Sequence, residues 1–420
     1  MSRDEYTSEL NFFGSAAPEE LARAYGTPLY VYNEELLRRR CRDLRGLSGN
    51  PAFGVNYSVK ANSNPFLLKI VREEGLRVDA MSPGELYMDR LAGYSPSEIL
   101  YISNNISVGE MRAALDAGCL ISVDSLSQLD TLGRLAPGGE AMIRINPGIG
   151  EGHSAKVVTG GSGTKFGINS DQTDRVLALL ERRGLRLAGL NQHIGSLFMS
   201  SEKYLAAASV LLDYAASLPP SIFKTLKIID FGGGFGIPYH KYERQDRLDL
   251  AALSRGLNSL MGQWQASSGY AGKFLIEPGR YVMAECGLLL GEITAVKNNG
   301  RTRFAGSDLG FNVLQRPVMY DAFHDIEIYA GDLKSRPVMR QTIVGDICES
   351  GDMLAKDRDL PELREGDLIG VLDAGAYGFS MASNYNERLL PAEILIAADG
   401  QPRLIRRRQT LEELASNLPI

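Results

Sequence analysis

What most constrains the fold of this chain is a rhythm. Between residues 53 and 276, short β-branched apolar runs alternate with stretches whose apolar residues recur at helical spacing. The runs occupy 53–59, 78–81, 99–102, 120–123, 141–145, 187–191, 227–231 and 273–276. That is about eight, the number of parallel strands that closes a barrel. The intervening stretches include 65–74, 83–92, 108–117, 171–183, 202–217 and 248–266. In the first, Leu67, Leu68, Ile70 and Val71 form an apolar face, with Arg72, Glu73 and Glu74 on the wet side. Helical crossovers are what parallel neighbours require. The predicted fold class is α/β, built on a (β/α)8 TIM-like barrel.

After Arg280 helical patterns nearly vanish. Strand-like runs at 287–297, 302–305, 326–329, 340–344, 367–372 and 393–396, separated by turn residues, predict a mostly antiparallel β-sandwich or β-barrel domain. The first thirty or so residues, ending in Pro28-Leu29-Tyr30-Val31-Tyr32, do not fit the barrel count. The expected organisation is therefore a barrel over 33–280 and a β domain made of 1–32 and 281–420. The sequence shows no internal repeat or low-complexity segment. A long Gly-rich connection, 148–163, follows the fifth run and reaches Lys165-Phe166-Gly167; a loop there reads as an active-site cover or as a surface excursion.

Composition narrows the function classes. The chain has 420 residues, 44% of them hydrophobic and 23% charged, enough to bury a large core in two domains. A net charge of −6, from 45 basic and 51 acidic residues, argues against a nucleic-acid partner, and Arg406-Arg407-Arg408 reads as solvated strand-end charge. The start of the chain lacks the basic and apolar stretches of a signal peptide. No span reaches about 18 apolar residues, so a cytoplasmic protein without a membrane partner is expected. Cys41, Cys119, Cys286 and Cys348 have neither disulfide-framework nor metal-ligand spacing, and no metal is expected.

Several runs end on residues that carry chemistry. Lys60, in Tyr57-Ser58-Val59-Lys60-Ala61-Asn62, closes the first and offers a nucleophilic amine; a bare lysine there would be solvated. His193, in His193-Ile194-Gly195-Ser196, offers a flat ring for stacking. Gly232, Gly233 and Gly234 let backbone N–H groups approach an anion with no Cβ in the way, although a glycine triplet is as often a turn. Glu277, in Glu277-Pro278-Gly279-Arg280, places a carboxylate where it could keep a ring nitrogen protonated, or merely end a strand. Asp79 and Arg144 fall at run ends as well. In a parallel barrel those ends share the catalytic face. An amine for an aldehyde, a stacking ring, a phosphate cradle and a carboxylate are together what pyridoxal 5′-phosphate needs.

At these residues, and at three longer motifs, the chain resembles the diaminopimelate decarboxylases, pyridoxal-phosphate enzymes of the alanine-racemase-like barrel type related to ornithine decarboxylases. The motifs are Cys348-Glu349-Ser350-Gly351-Asp352, Asp373-Ala374-Gly375-Ala376-Tyr377-Gly378 and Met381-Ala382-Ser383-Asn384-Tyr385-Asn386. The resemblance runs from Pro28 to the closing Leu404-Ile405-Arg406-Arg407-Arg408-Gln409-Thr410. It implies that Lys60 carries the cofactor, that Gly232, Gly233, Gly234 and Ser196 hold its phosphate, and that Glu277 meets the ring nitrogen. Asp79, Arg144, His193, Gly279, Arg280 and Tyr377 complete the implied cofactor set. Substrate binding would fall to Arg280, Arg316, Tyr320, Glu349 and Tyr377, with Cys348 as proton donor across the interface of a homodimer with shared sites. Guanidinium groups for the retained carboxylate and an acid for the distal amine suit an amino-acid substrate with two carboxylates and two ammonium groups.

The implied reaction is decarboxylation of meso-2,6-diaminopimelate to L-lysine, the last step of lysine biosynthesis. Three positions depart from the family pattern: Leu309, Val313 and Asp346, where alanine, a polar residue and proline are more usual. They bear on substrate preference rather than reaction type. Rival readings are a racemase, whose tyrosine base is not identifiable here, a cofactor carrier, which would not need the C-terminal motifs, and a decarboxylase of ornithine, arginine or a carrier-bound amino acid.

Overall fold

The computed structural model describes residues 5–152, 159–161 and 163–419. The chain divides into two compact units, one of Arg39–Ile237 with Arg247–Val282, the other of Met1–Arg38, Pro238–Asp246 and Met283–Ile420. Strand β1 (Leu29–Asn33) belongs to the second unit. The first unit holds β2 (Phe53–Ser58), β3 (Arg77–Ala80), β4 (Ile99–Ile102), β5 (Leu120–Val123), β6 (Glu140–Arg144), β7 (Arg186–Asn191), β8 (Ile228–Asp230) and β9 (Lys273–Ile276). These strands pair in chain order, all parallel, and β9 returns to β2 to close the barrel. The predicted runs and the observed strands coincide to within about two residues.

The barrel interior is layered. Leu100, Ile102, Met142, Ile228 and Leu275 form one buried cluster, with Leu120 packed against it. They come from strands that are not all neighbours, so they can meet only inside the barrel. Each buried aliphatic side chain of this kind contributes about 1.5–3 kcal/mol. Because side chains alternate along a strand, the next inward positions are two residues on: Ser122, Arg144, Asp230 and Glu277. Ser122 Oγ donates to Asn191 Oδ1 at 2.6 Å, from β5 to β7 across the intervening strand. A polar layer thus lies above an apolar one, toward the C-terminal ends of the strands.

Capping residues decide where strands give way to helices. Asn64 accepts from Phe66 N–H at 3.0 Å ahead of Pro65–Glu73, Ser82 from Glu85 N–H at 3.2 Å ahead of Pro83–Leu91, and Ser107 from Glu110 N–H at 3.2 Å ahead of Val108–Asp116. Two of these helices also begin with proline, whose missing N–H is not needed there. Among the described residues no helix is long and apolar enough to cross a membrane.

The β unit holds β10 (Gly287–Asn299), β11 (Thr302–Ser307), β12 (Ile326–Tyr329), β13 (Val338–Val344), β14 (Met353–Pro361), β15 (Leu368–Val371), β16 (Ala392–Ile396) and β17 (Pro402–Arg406). The nine-stranded sheet runs β14-β13-β11-β10-β1-β16-β17, with β15 joining β10 to β12. Most pairs are antiparallel; β1 with β16 and β11 with β13 are parallel. Strand β1, which did not fit the barrel count, lies between β10 and β16. The segment Pro238–Asp246 also clusters here: Tyr242 N–H donates to Asp325 at 3.2 Å and its hydroxyl to Glu327 at 2.6 Å. Two of the departures from the family pattern, Leu309 and Val313, are core residues, 0% and 1% exposed. The third, Asp346, pairs with Arg388 at 2.6 Å.

Candidate active site

Lys60 sits in the single turn Val59–Ala61 that follows β2. Its backbone is pinned from both sides. Asp79, at the end of β3, accepts from Ser58 Oγ at 2.8 Å and from Val59 N–H at 3.1 Å, and Tyr57 OH donates to Asn62 O at 2.9 Å. Asp79 is fully buried, so burial raises its carboxyl above the usual range while Lys60 pulls it down. In this structure both Asp79 oxygens are engaged in holding the turn that presents the lysine. Ser58 N–H reaches Pro278 O at 3.1 Å, which joins that turn to the Glu277-Pro278-Gly279-Arg280 segment beyond β9.

Glu277 is strongly perturbed as well. Burial first, then Asp230 and Asp79, hold it well above the usual carboxylate range, with Lys60 acting the other way. Among the described residues Glu277 Oε1 and Arg144 Nη2 are buried polar atoms without a hydrogen-bond partner. The guanidinium of Arg144 lies 4.6 Å from the Phe166 ring centre. His193 is half-buried and accepts at Nδ1 from Gly233 N–H, 3.1 Å away. Burial and the cations Lys60 and Arg144 keep its basicity well below normal, so the ring is neutral with its proton on Nε2.

The glycines beyond β8 have left-handed backbones at Gly232 (φ +76°) and Gly234 (φ +107°). Close approach also excludes any side chain: a Cβ would lie 1.9 Å from Glu277 O at Gly233 and 2.5 Å from Gly195 O at Gly234. The loop is held by Tyr204 OH and Glu277 N–H, both donating to Gly232 O at 2.9 Å, and by Gly232 N–H donating to Asp230 at 2.9 Å. Beside it, Arg280 Nη2 donates to Ser196 Oγ at 2.9 Å, with Arg280 only 5% exposed. Of the connection 148–163, residues 153–158 and 162 lie outside the described residues. Its described ends run along the His193 segment, where Glu151–Gly152 pairs with Gly195–Ser196 and Thr159 Oγ1 donates to His193 O at 3.0 Å.

In the β unit the sequence-selected residues fall into two groups. Arg316 begins the helix Arg316–Tyr320 and is 1% exposed, bonded to His324 at 2.8 Å, with half-buried Tyr320 at the helix end. Cys348 and Glu349 are exposed. Asn386 Oδ1 accepts from Cys348 N–H at 3.0 Å, and Tyr385 OH donates to Glu349 at 2.6 Å while its ring stacks on Phe311. Tyr377 is half-buried with a left-handed backbone (φ +57°). Sequence reasoning missed His324, Tyr385 and Asp230; Tyr385 lay within a quoted motif, and the other two carried no signal apart from their contacts.

The family model for the pyridoxal-binding domain of pyridoxal-dependent decarboxylases matches residues 35–284. A diaminopimelate decarboxylase of Methanothermobacter thermautotrophicus is 39% identical over 412 residues, 97% of this chain and 95% of its own length. The chain belongs to the diaminopimelate decarboxylase family of pyridoxal-dependent decarboxylases. The Escherichia coli K12 member is 34% identical over 94% of each chain. The crystal structure of the Helicobacter pylori family member complexed with L-lysine superposes with a TM-score of 0.87 at 29% identity, covering 95% of this chain and 98% of that one.

The cofactor of this family is pyridoxal 5′-phosphate, and the residues present fit it. The glycines let the backbone beyond β8 pack against the main chain of the Gln192–Gly195 and Glu277 segments where no Cβ could fit, beside the paired Ser196 and Arg280. A buried carboxyl oxygen without a partner is the counterpart that a protonated ring nitrogen needs, and the turn carrying Lys60 is tied to the Glu277 segment through Ser58 N–H and Pro278 O.

Proposed function

We propose that the protein removes the carboxylate at the D-centre of meso-2,6-diaminopimelate, releasing carbon dioxide and L-lysine as the last step of lysine biosynthesis in the cytoplasm. The observation that carries the reading is Lys60 in the turn after a barrel strand, where Asp79 fixes Ser58 and Val59 and Ser58 N–H joins the turn to the Glu277-Pro278 segment. The full-length family membership supports the substrate.

When bound, pyridoxal 5′-phosphate supplies a protonated ring that takes up the electron pair left by departing carbon dioxide. Lys60 Nζ would be the amine that links the cofactor to the protein. Glu277 would face the ring nitrogen, whose positive charge would oppose the effect of burial on the carboxyl. His193 would pack its neutral ring against the cofactor, and Gly234 N–H with Ser196 would bind the phosphate, since Gly232 N–H and Gly233 N–H already donate to Asp230 and His193. Asp79 orients Lys60, while Arg144 and Gly279 border the ring. Arg280, Arg316 and Tyr320 bind the carboxylate that stays, Glu349 binds the distal ammonium, and Tyr377 borders cofactor and substrate. By orienting the substrate, these residues would determine which of its bonds is cleaved.

Cys348 Sγ delivers the proton to Cα. Its exposure supports a further part of the reading, a symmetric homodimer in which the β unit of each copy completes the barrel site of the other. The test is incubation of the purified holoenzyme with meso-diaminopimelate, L,L-diaminopimelate, ornithine, arginine and lysine, with products identified by mass. L-Lysine should form from the meso isomer and much more slowly from the L,L isomer. Faster turnover of ornithine would overturn the substrate assignment.

A further inference from the structure

We propose that His324 is a positioning residue that aims Arg316 at the retained carboxylate of the substrate and couples its aim to the segment carrying Tyr377. The proposal rests on the reading that Arg316 binds that carboxylate. Arg316 Nη1 lies 2.8 Å from His324 Nε2, and His324 Nδ1 lies 2.7 Å from Leu372 O. A guanidinium has only donors and does not lose its proton, so Nε2 must accept. The ring proton is then on Nδ1 and is donated to Leu372 O. One tautomer satisfies both contacts, and a second ring proton would set N–H against N–H.

The ring has little freedom to leave this arrangement. His324 and Arg316 are each 1% exposed, and Tyr239, 4% exposed, serves both. Its ring meets His324 edge-on at 5.3 Å and lies 4.8 Å from the Arg316 guanidinium carbon. The His324 carbonyl accepts from Arg358 at 3.2 Å, and Arg358 is in turn paired with Asp325 at 3.2 Å. Leu372 directly precedes Asp373-Ala374-Gly375-Ala376-Tyr377, so the acceptor of the second bond is continuous with the Tyr377 segment.

The choice of acceptor matters chemically. A carboxylate in place of His324 would hold Arg316 more tightly and also cancel its charge. A neutral imidazole fixes the guanidinium without placing a negative charge beside it, so its attraction for an anionic ligand is kept. The consequence is specific to ligands that carry the carboxylate.

The experiment compares inhibition of the holoenzyme by L-lysine, which has that carboxylate, and by 1,5-diaminopentane, which lacks it. In His324→Leu the inhibition constant of L-lysine should rise about 10- to 100-fold, the effect of losing one hydrogen bond to a charged group. That of the diamine should stay within about twofold of wild type, as should the visible absorbance of the bound cofactor. KM for meso-diaminopimelate should rise more than kcat falls. His324→Gln, which offers one acceptor and amide donors, should recover most of the L-lysine affinity. Equal weakening of both inhibitors, or unchanged L-lysine binding in folded His324→Leu, would overturn the proposal. If His324→Leu does not fold, failure of the folded His324→Gln to bind L-lysine better than Arg316→Ala does would overturn it. Arg316→Ala separates the two levels: if it weakens both inhibitors alike, the reading of Arg316 itself fails.

Discussion

The two units treat buried charge in opposite ways. In the β unit buried ions come in sets: Lys241 lies 2.6 Å from Glu285 and 3.3 Å from Asp373, Arg336 Nη2 donates to Asp367 at 2.9 Å, and Arg358 reaches Asp325 at 3.2 Å. Glu327 accepts from Thr7, Tyr242 and Tyr329. The barrel unit instead gathers Asp79, Glu85, Asp89, Asp230 and Glu277, all raised above the ordinary carboxyl range with burial as the first cause in each. In sets of the first kind each acid faces a cation or several donors, although Asp373 beside Lys241 is itself pushed up to about 7, burial first, and among the described residues keeps one buried oxygen without a hydrogen-bond partner. The barrel acids crowd together with Lys60, Arg144 and Arg77 as the cations acting on them, an arrangement that suits the site proposed above for a cationic ring.

The sharpest way to break this contrast is to remove the lysine. Lys60→Ala should abolish the visible band of the lysine-linked cofactor and lower turnover by at least about 10³-fold. A variant that keeps the normal spectrum would assign the linkage to another lysine. If the β unit supplies chemistry rather than scaffold alone, Cys348→Ala should follow, with a loss of about 10²- to 10³-fold and an unchanged spectrum. Dissociating and reassociating inactive Lys60→Ala and Cys348→Ala proteins together should restore activity in proportion to heterodimer formed. Heterodimers that stay as inactive as their parents would show that Cys348 does not serve a neighbouring chain.

Glu277→Gln removes one carboxylate from the crowded barrel set and should cost about 10²-fold in turnover, since the ring nitrogen loses its charged partner. The visible spectrum of the bound cofactor should change with it. A Glu277→Gln enzyme with wild-type spectrum and rate would mean that Asp230, on the adjacent strand, carries the role.

The barrel was legible because its signals are local. Each strand from β2 to β9 is a short apolar run, each crossover helix in the described set starts at a Ser, Asn or Asp cap or at a turn, and the catalytic face follows from strand direction alone. The β unit was less legible because its pairing is set at long range. β14, with Lys356, Asp357, Arg358 and Asp359 in its middle and Pro361 at its end, reads as a loop; it is a strand because β13 places Arg340 opposite Asp359 and Gln341 opposite Arg358. β17 was missed for a similar reason, its arginines Arg403 and Arg406 having partners in Asp399 and Glu393. The segment Pro238–Asp246 sits between barrel elements in sequence, and only its contacts with Asp325 and Glu327 reveal its place. Lys60, Glu277 and the glycines were proposed from where runs end. His324 could not be, because an interior histidine is indistinguishable from any other until its two neighbours are known.

The smallest expected effect tests the contrast as stability. Asp89, on the helix Pro83–Leu91, is fully buried, and among the described residues neither of its side-chain oxygens has a hydrogen-bond partner. Burial first, then Asp79 and Glu85, lifts it to about 9. In the unfolded chain it would ionise near 4, so between those values the unfolded form releases a proton that the folded form keeps. The stability tied to this group is therefore complete below about pH 4 and is lost progressively as the pH rises toward 9. Asp89→Asn has no proton to release. It should match wild type near pH 4 and exceed it at pH 8 by roughly 1–3 kcal/mol, or about 2–4 °C of melting temperature for each kcal/mol. Asp325→Asn, which breaks the paired arrangement with Arg358, should instead destabilise the protein. Unfolding of both holoenzyme variants at the two pH values separates the units. If Asp89→Asn loses stability at pH 8 as Asp325→Asn does, the barrel carboxyl has a partner after all, and the distinction between paired acids in the β unit and crowded acids in the barrel does not extend beyond the residues around Lys60.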